Sequence, residues 1–212
     1  MNNFQTYAEH IYAWMRETER SGAFLINVQY MHQQHAINPG MRQILVDWLL
    51  DVHKRFRMLP ETIHITVNII DRYLMRRLVA RDQLQLLGVT ALQIASQYEE
   101  IGPPCLNDLV YTTDDAYTPA DILAMKSSIL SELEFSFTFP TALSFLETYM
   151  KAINVVDLPT ELYTRFLVEM SLIDLAMQRF TPSTIALAAL VVTQRRMAVT
   201  LPYNQMGLGP SF

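Results

Sequence analysis

Side chains able to do chemistry at neutral pH are few in this sequence, and their spacing suits none of the common reactions. His32-x-x-His35 sets two imidazoles one turn apart, but the stretch reads as loop and lacks a nearby cysteine or acidic third ligand, so no metal site is expected. Glu99-Glu100 and Asp114-Asp115 are adjacent carboxylates, whereas a catalytic acid and its partner face each other across a cleft. They read as solvated or partner-facing. Cys105 is the single cysteine, too few for an intramolecular disulfide or a multi-cysteine zinc site, and it points to a reducing, intracellular compartment. No Gly-x-Gly-x-x-Gly, Walker, His-Glu-x-x-His or Gly-x-Ser-x-Gly motif occurs. No catalytic residue and no cofactor is therefore expected, and the chain is not read as an enzyme.

The composition directs attention to protein surfaces instead. Of 212 residues 50% are hydrophobic and only 17% charged, which excludes a disordered chain and leaves enough apolar material for a core. Net charge is −5 with the basic residues dispersed, so there is no electrostatic footprint for nucleic acid. The longest apolar run, Ile185 to Val192, falls far short of the roughly 20 residues that span a bilayer. No membrane segment is expected, and Met-Asn-Asn-Phe-Gln-Thr has neither the basic start nor the apolar stretch of a signal peptide.

The elements that must position these surfaces are helical throughout, giving an all-α chain. Met41, Ile44, Leu45, Trp48, Leu49, Val52 and Phe56 recur at steps of three and four on one helix face, with Val46 and Leu50 on its flank. Pro60 suits the first turn of the next helix, where Ile63, Val67, Ile70 and Leu74 form a stripe to about Leu78. Asp82 reads as the cap of a third helix, whose Gly88, Ala91 and Ala95 keep it thin enough for neighbours to approach closely, as in the middle of a bundle. Gly102-Pro103-Pro104 ends it. A short helix follows at Leu106 to Tyr111, and Thr118-Pro119-Ala120-Asp121 is a capping-box start for Ile122, Met125, Ile129 and Leu133. Further helices are expected from about Thr141, Thr160 and Ser183, the last with Ala186, Ala188 and Ala189 echoing the thin third helix. The tail from Leu201 to Phe212 reads as irregular.

These residues resemble a known family. Met41-Arg-Gln-Ile-Leu-Val-Asp-Trp-Leu49 resembles the signature that opens the cyclin box of A- and B-type cyclins. Asn68-Ile-Ile-Asp-Arg-Tyr-Leu74, Leu84-Gln-Leu-Leu-Gly88, Ala95-Ser-Gln-Tyr-Glu-Glu-Ile101 and Val110-Tyr-Thr-Thr-Asp-Asp-Ala-Tyr-Thr118 resemble mitotic-cyclin segments in the expected order. Tyr7 to Glu17 is similar to the helix that precedes the box, and Ser171-Leu-Ile-Asp174 to the second repeat. The resemblance covers about residues 7 to 180. It implies a cyclin fold with an N-terminal helix and linker at 1–38, a five-helix first box at 39–138 and a second repeat at 139–212 that is incomplete, lacking its last two helices. Apolar faces around Leu172, Leu175, Ile185 and Leu190 are then expected to lack cover.

The resemblance further implies a regulatory subunit that binds and activates a cyclin-dependent serine/threonine kinase and controls cell-cycle, G2/M, progression in the nucleus, the cytoplasm or both. The family's kinase-facing surface maps to Tyr7, Ile11 and Trp14; to Ile94, Gln97, Tyr98, Glu99 and Glu100; and to Lys126, Leu130 and Phe135. For Ile94 and Leu130, simple core packing is the competing reading. Two of these positions depart from the family, which has lysine where Gln97 stands and glutamate where Lys126 stands, both hydrogen-bonding the kinase. Arg42 and Asp71 resemble the family's buried ion pair, and Leu86 is kept in the third helix. Met41, Ile44, Leu45, Trp48 and Gln85, with Asp51 in place of glutamate, resemble the patch that docks Arg-x-Leu peptides of substrates and inhibitors. Core packing is again the alternative for Ile44, Leu45 and Trp48. Arg42-Gln-Ile-Leu45 also fits the Arg-x-x-Leu degradation signal of mitotic cyclins, but such signals lie in disordered tails and this one belongs to the central helix. A transcription-type cyclin-fold protein and a helical scaffold without a kinase remain as alternatives.

Overall fold

The computed structural model describes residues 3–153 and 157–197; the sequence-predicted irregular tail at 201–212 lies outside them. Among the described residues there are nine α-helices and no strand: α1 (Asn3–Arg20), α2 (Pro39–Phe56), α3 (Pro60–Leu74), α4 (Leu84–Glu99), α5 (Leu106–Thr112), α6 (Pro119–Glu132), α7 (Ala142–Ala152), α8 (Leu158–Met170) and α9 (Pro182–Met197). Sequence order and packing order differ. One unit holds residues 26–138 and, further along the chain, 172–179; the other holds the described parts of 1–25, 139–171 and 180–212.

In the first unit α4 runs through the middle and packs against α2, α3, α5 and α6. Its small residues explain why it can. A Cβ on Gly88 would lie 2.6 Å from the nearest methyl of Leu45, so the Leu45 side chain of α2 seats directly on the glycine of α4. Asn38 caps α2 by accepting from the Met41 amide, and Pro39 and Pro60 occupy first-turn positions. The capping box of α6 forms as its residues predict, Thr118 accepting from Asp121 N and Asp121 accepting from Thr118 N.

Two boundaries are corrected. Asp82 does not cap α4; it lies inside a short 3-10 turn, Arg81–Gln83, and its carbonyl accepts from the Tyr117 hydroxyl at 2.6 Å. α3 ends at Leu74 rather than near Leu78. The buried Gln34 amide donates to the carbonyls of Leu74 and Arg77, and its oxygen accepts from Val79 N, so the chain turns there.

Beneath this bundle sits a polar knot. Arg42 Nε and Nη2 each lie 2.6 Å from a different carboxylate oxygen of Asp71, in a bidentate pair with both side chains fully buried. Tyr30 donates its hydroxyl to Asp71 at 2.8 Å, and Arg42 Nη1 donates to the carbonyls of Leu172 and Ile173. The 172–179 segment belongs to this unit, its 3-10 turn at Leu175–Arg179 packing on the Val28–His32 turn and on α2. Burial opposes charge on Arg42, but the Asp71 carboxylate outweighs it and holds the guanidinium above its ordinary range. Burial, then the Asp71 charge, pushes the Tyr30 hydroxyl up in turn.

His64, buried in α3, is pushed down to about 3 by burial and secondarily by His53. Its folded value lies below the unfolded one of about 6.5, so the unfolded chain binds the extra proton, and stability is full above pH 6.5 and falls as pH drops toward 3. From pH 7 to pH 5 this residue should remove about 2 kcal/mol, and His64→Leu should abolish that part of the slope. Urea unfolding at the two pH values measures it, and equal slopes in both proteins would assign the acid sensitivity elsewhere.

In the second unit α7, α8 and α9 pack on one another around Phe145, Leu146, Tyr149, Val168, Ala186, Ala189 and Leu190. α1 joins this unit. Its Tyr12 ring meets Phe145 and Tyr149 edge-on at 6.2 Å each, and Met15 is part of the same core. The buried carboxylate of Glu19 accepts from Ser183 N at 2.7 Å and from its hydroxyl at 2.9 Å, capping α9 from another helix, while Arg16 pairs with it at 3.0 Å. Of the residues expected to lack cover, Leu190 here and Leu172 and Leu175 in the first unit are buried and Ile185 is partly buried, whereas their neighbours Met177, Phe180 and Val192 are exposed.

Candidate functional site

The candidate surface begins where α4 and α6 lie side by side. The Tyr73 hydroxyl on α3 bonds Ser128 on α6 at 2.9 Å, which fixes the α6 face. At the end of α4 the exposed Tyr98 ring is held rather than loose. Its hydroxyl bonds Thr138 Oγ1 at 2.6 Å, and its ring stands edge-on to the buried Phe137, 6.5 Å between centroids. On the residue before Tyr98, Gln97 Oε1 accepts from Lys126 Nζ of α6, so the two positions that the resemblance marks as departures bond each other within this chain.

Beyond α6, Glu134 and Phe135 both adopt left-handed backbone, with φ of 52° and 55°. The Phe135 amide bonds the Leu130 carbonyl, the long closing bond of a helix stop that normally carries glycine. Holding two L side chains there costs on the order of 1–2 kcal/mol each. The result is a phenylalanine ring 70% exposed, where burial would favour an apolar side chain. Arg72 locks the next residue, its Nη1 donating to the Ser136 carbonyl at 2.6 Å. Burial, then Arg76, pushes this guanidinium down to about 10, still charged at neutral pH. Exposed Tyr98 and Phe135, half-buried Leu130 and half-buried Lys126 give this region the mix of aromatic, aliphatic and polar groups that protein interfaces use.

Three of the sequence-predicted contact residues are placed elsewhere. Ile94 is buried in the α4 core, because α4 is surrounded by helices, and it is not available to a partner. Glu100 turns inward: one of its oxygens accepts from Leu59 N at 2.7 Å and from Thr62 Oγ1 at 2.5 Å, capping α3, which has no side-chain cap of its own. Leu45 is buried against Gly88 and supports the α2 patch from beneath instead of lining it. Glu99 is half-buried. On α1, in the other unit, Ile11 and Trp14 are exposed, and the Tyr7 side chain lies outside the described residues.

The other α2 residues expected in the docking patch lie at or near the surface. Met41, Ile44, Trp48 and Asp51 follow at three- and four-residue steps, Ile44 and Asp51 exposed, Met41 and Trp48 half-buried. Gln85, also half-buried, stands one turn before Gly88 on α4, which touches α2 through Leu45. His32 and His35 are both exposed, and among the described residues no group of three metal-ligating side chains occurs. No described helix is long and apolar enough to cross a membrane. Sequence reasoning missed Glu19, Tyr30 and Gln34. Each acts on residues more than forty positions away, or nearly so, and no local pattern marks such a partner.

A helical bundle threaded by one thin helix and pinned by a buried Arg–Asp pair leaves Tyr98 and Phe135 exposed on its surface. The chain belongs to the cyclin family: residues 10–138 match the family model for the cyclin N-terminal domain and residues 140–206 that for the cyclin C-terminal domain. It is 42% identical over 188 residues to Cyclin-B2-2 of Arabidopsis thaliana, covering 89% of this chain and 43% of that protein. It is 40% identical over 191 residues to G2/mitotic-specific cyclin-1 of Medicago sativa subsp. varia, covering 90% of this chain and 44% of that protein. The chain thus spans less than half the length of these two relatives. Its fold is similar to that of a viral cyclin from herpesvirus saimiri, with a TM-score of 0.76 at 19% identity over 88% of this chain and 83% of the other.

Proposed function

We propose that this chain is a regulatory subunit that binds and activates a cyclin-dependent serine/threonine kinase, recruits substrates to it, and acts in cell-cycle control at G2/M. The observation that carries the reading is the α4–α6 surface, where Tyr98 is exposed yet held by Thr138 and Phe135 stands exposed on left-handed backbone. Such a subunit performs no chemistry. It acts by packing against the kinase so that the kinase's own lysine–glutamate pair and metal-binding aspartate reach their working positions. The G2/mitotic name of one relative supports the timing. The place of action is the nucleus, the cytoplasm or both, wherever kinase and substrate meet.

Met41, Ile44 and Trp48 form a shallow apolar seat for the leucine of an Arg-x-Leu peptide, and exposed Asp51 attracts its arginine. One kinase assay separates the two surfaces. Phe135→Ala should weaken kinase binding by about 2 kcal/mol, roughly 30-fold, and depress phosphorylation of every substrate. Met41→Ala with Trp48→Ala should leave kinase binding intact and slow only Arg-x-Leu substrates, by about tenfold or more. Thermal midpoints establish that each variant is folded. Equal losses on both substrate classes in the α2 double variant would refute the docking role, and unchanged kinase affinity in Phe135→Ala would refute the α4–α6 assignment.

A further inference from the structure

One face of α1 is built into the second unit and another is left free. Tyr12, Met15 and Glu19 follow at steps of three and four and turn inward: the Tyr12 ring stands edge-on to Phe145 and Tyr149, Met15 lies in the core, and the Glu19 carboxylate is buried. Ile11 and Trp14 each precede an inward residue, about 100° round the helix, and are 45% and 48% exposed.

Glu19 answers a particular need of α9. That helix opens on Pro182, which has no amide hydrogen, so Ser183 N is its first donor and finds no acceptor within its own helix. Glu19 Oε1 accepts from it at 2.7 Å across 164 positions of sequence, and Glu19 Oε2 accepts from the Ser183 hydroxyl at 2.9 Å. Arg16, one turn earlier on α1, pairs with the same carboxylate and also donates to the Ser183 hydroxyl. The apolar contacts of Tyr12 and Met15 press α1 onto the unit but leave its roll about the helix axis free, because burial has no preferred direction. Hydrogen bonds do have one. Those at Glu19 lie only about 8 Å along the axis from Trp14 and about 12 Å from Ile11.

We propose that Glu19 is the positioning residue for the outer face of α1: its bonds to Ser183 fix the roll of the helix, so kinase contact at Ile11 and Trp14 and the order of the α9 start are linked through it. The inference rests on the kinase-binding reading and adds a role for a residue that no kinase touches. Linkage runs both ways. A kinase that holds Ile11 and Trp14 also holds Glu19 on Ser183, and losing the Glu19 bonds lets the outer face turn away from the kinase. A purely structural Glu19 would behave differently, since its loss would lower affinity whether or not Trp14 were present.

A double-mutant cycle on the whole chain tests this, with binding to a purified mitotic-type cyclin-dependent kinase followed by calorimetry. Glu19→Ala should weaken binding at least about fivefold, and by much less when Trp14→Ala is already in place, because the face that Glu19 orients has then lost its anchor. Hydrogen exchange reads the reverse direction. Saturating kinase should slow exchange of the first-turn amides of α9, and should do so less in Trp14→Ala. Ser183→Ala, which removes the hydroxyl and keeps the amide, is the milder variant and runs through the same cycle should Glu19→Ala lose its thermal transition. No fall in affinity, or an equal fall with and without Trp14→Ala, would overturn this inference and leave kinase binding standing. No binding of the unaltered chain to any cyclin-dependent kinase would overturn both.

Discussion

Arg42→Ala should destabilise the α2–α6 unit by about 3–5 kcal/mol, because it leaves the Asp71 carboxylate buried without its cation. The same change removes the donor to the carbonyls of Leu172 and Ile173, so the 172–179 segment should lose protection against hydrogen exchange along with the bundle. Asp71→Asn should also destabilise, since it orphans both the guanidinium and the Tyr30 hydroxyl. The double change Arg42→Met with Asp71→Leu should recover much of the loss, as apolar replacements of a whole buried pair commonly do. Denaturant unfolding of the four proteins decides it. A loss below about 1 kcal/mol for Arg42→Ala would mean that water reaches the pair and the knot is not closed.

The second large effect concerns Gln97 and Lys126. The resemblance implies a lysine and a glutamate at these positions that bond the kinase; charge-assisted bonds of that kind are each worth about 1.5–3 kcal/mol, so on this reading a chain lacking both forgoes about 3–6 kcal/mol with a generic mitotic kinase. Here the two side chains bond each other, and the Lys126 ammonium stands where a carboxylate would accept. A kinase matched to this chain needs its own carboxylate or carbonyl opposite Lys126. Gln97→Lys with Lys126→Glu should therefore bind a generic mitotic kinase more tightly and the kinase recovered from cells with this chain more weakly. If neither affinity moves by about 1 kcal/mol, these positions do not face the kinase and specificity lies elsewhere.

The fold was largely legible because its signals are local. Apolar spacing marked α2, α3 and α4, proline and threonine marked the starts of α3, α6 and α7, and Gly88 with Ala91 and Ala95 marked the central helix before any contact was known. What was not legible depends on which face a residue turns. Ile94, Leu45 and Glu100 are sound surface choices by resemblance, yet α4 is enclosed on nearly all sides, Gly88 draws Leu45 inward, and an uncapped α3 recruits Glu100. Asp82 looked like a cap because its type and position suit one, but the 3-10 turn shifts the start of α4 past it. The exposed Leu158, Leu162, Phe166 and Met170 of α8 escaped for the opposite reason. Leucine, phenylalanine and methionine at helical spacing read as core, and only the buried Thr160, Thr164 and Val168 on the other side show that the core lies there.

The most direct test of a kinase-regulating role is to add the purified chain to a purified, cyclin-free cyclin-dependent kinase of the mitotic type and follow phosphorylation of a histone-derived peptide. The expected result is a stable complex on size exclusion and a rate that rises saturably with added chain, with Phe135→Ala shifting the curve to higher concentration. A complex without a rise in rate, or no complex with any cyclin-dependent kinase recovered from cells, would contradict the account.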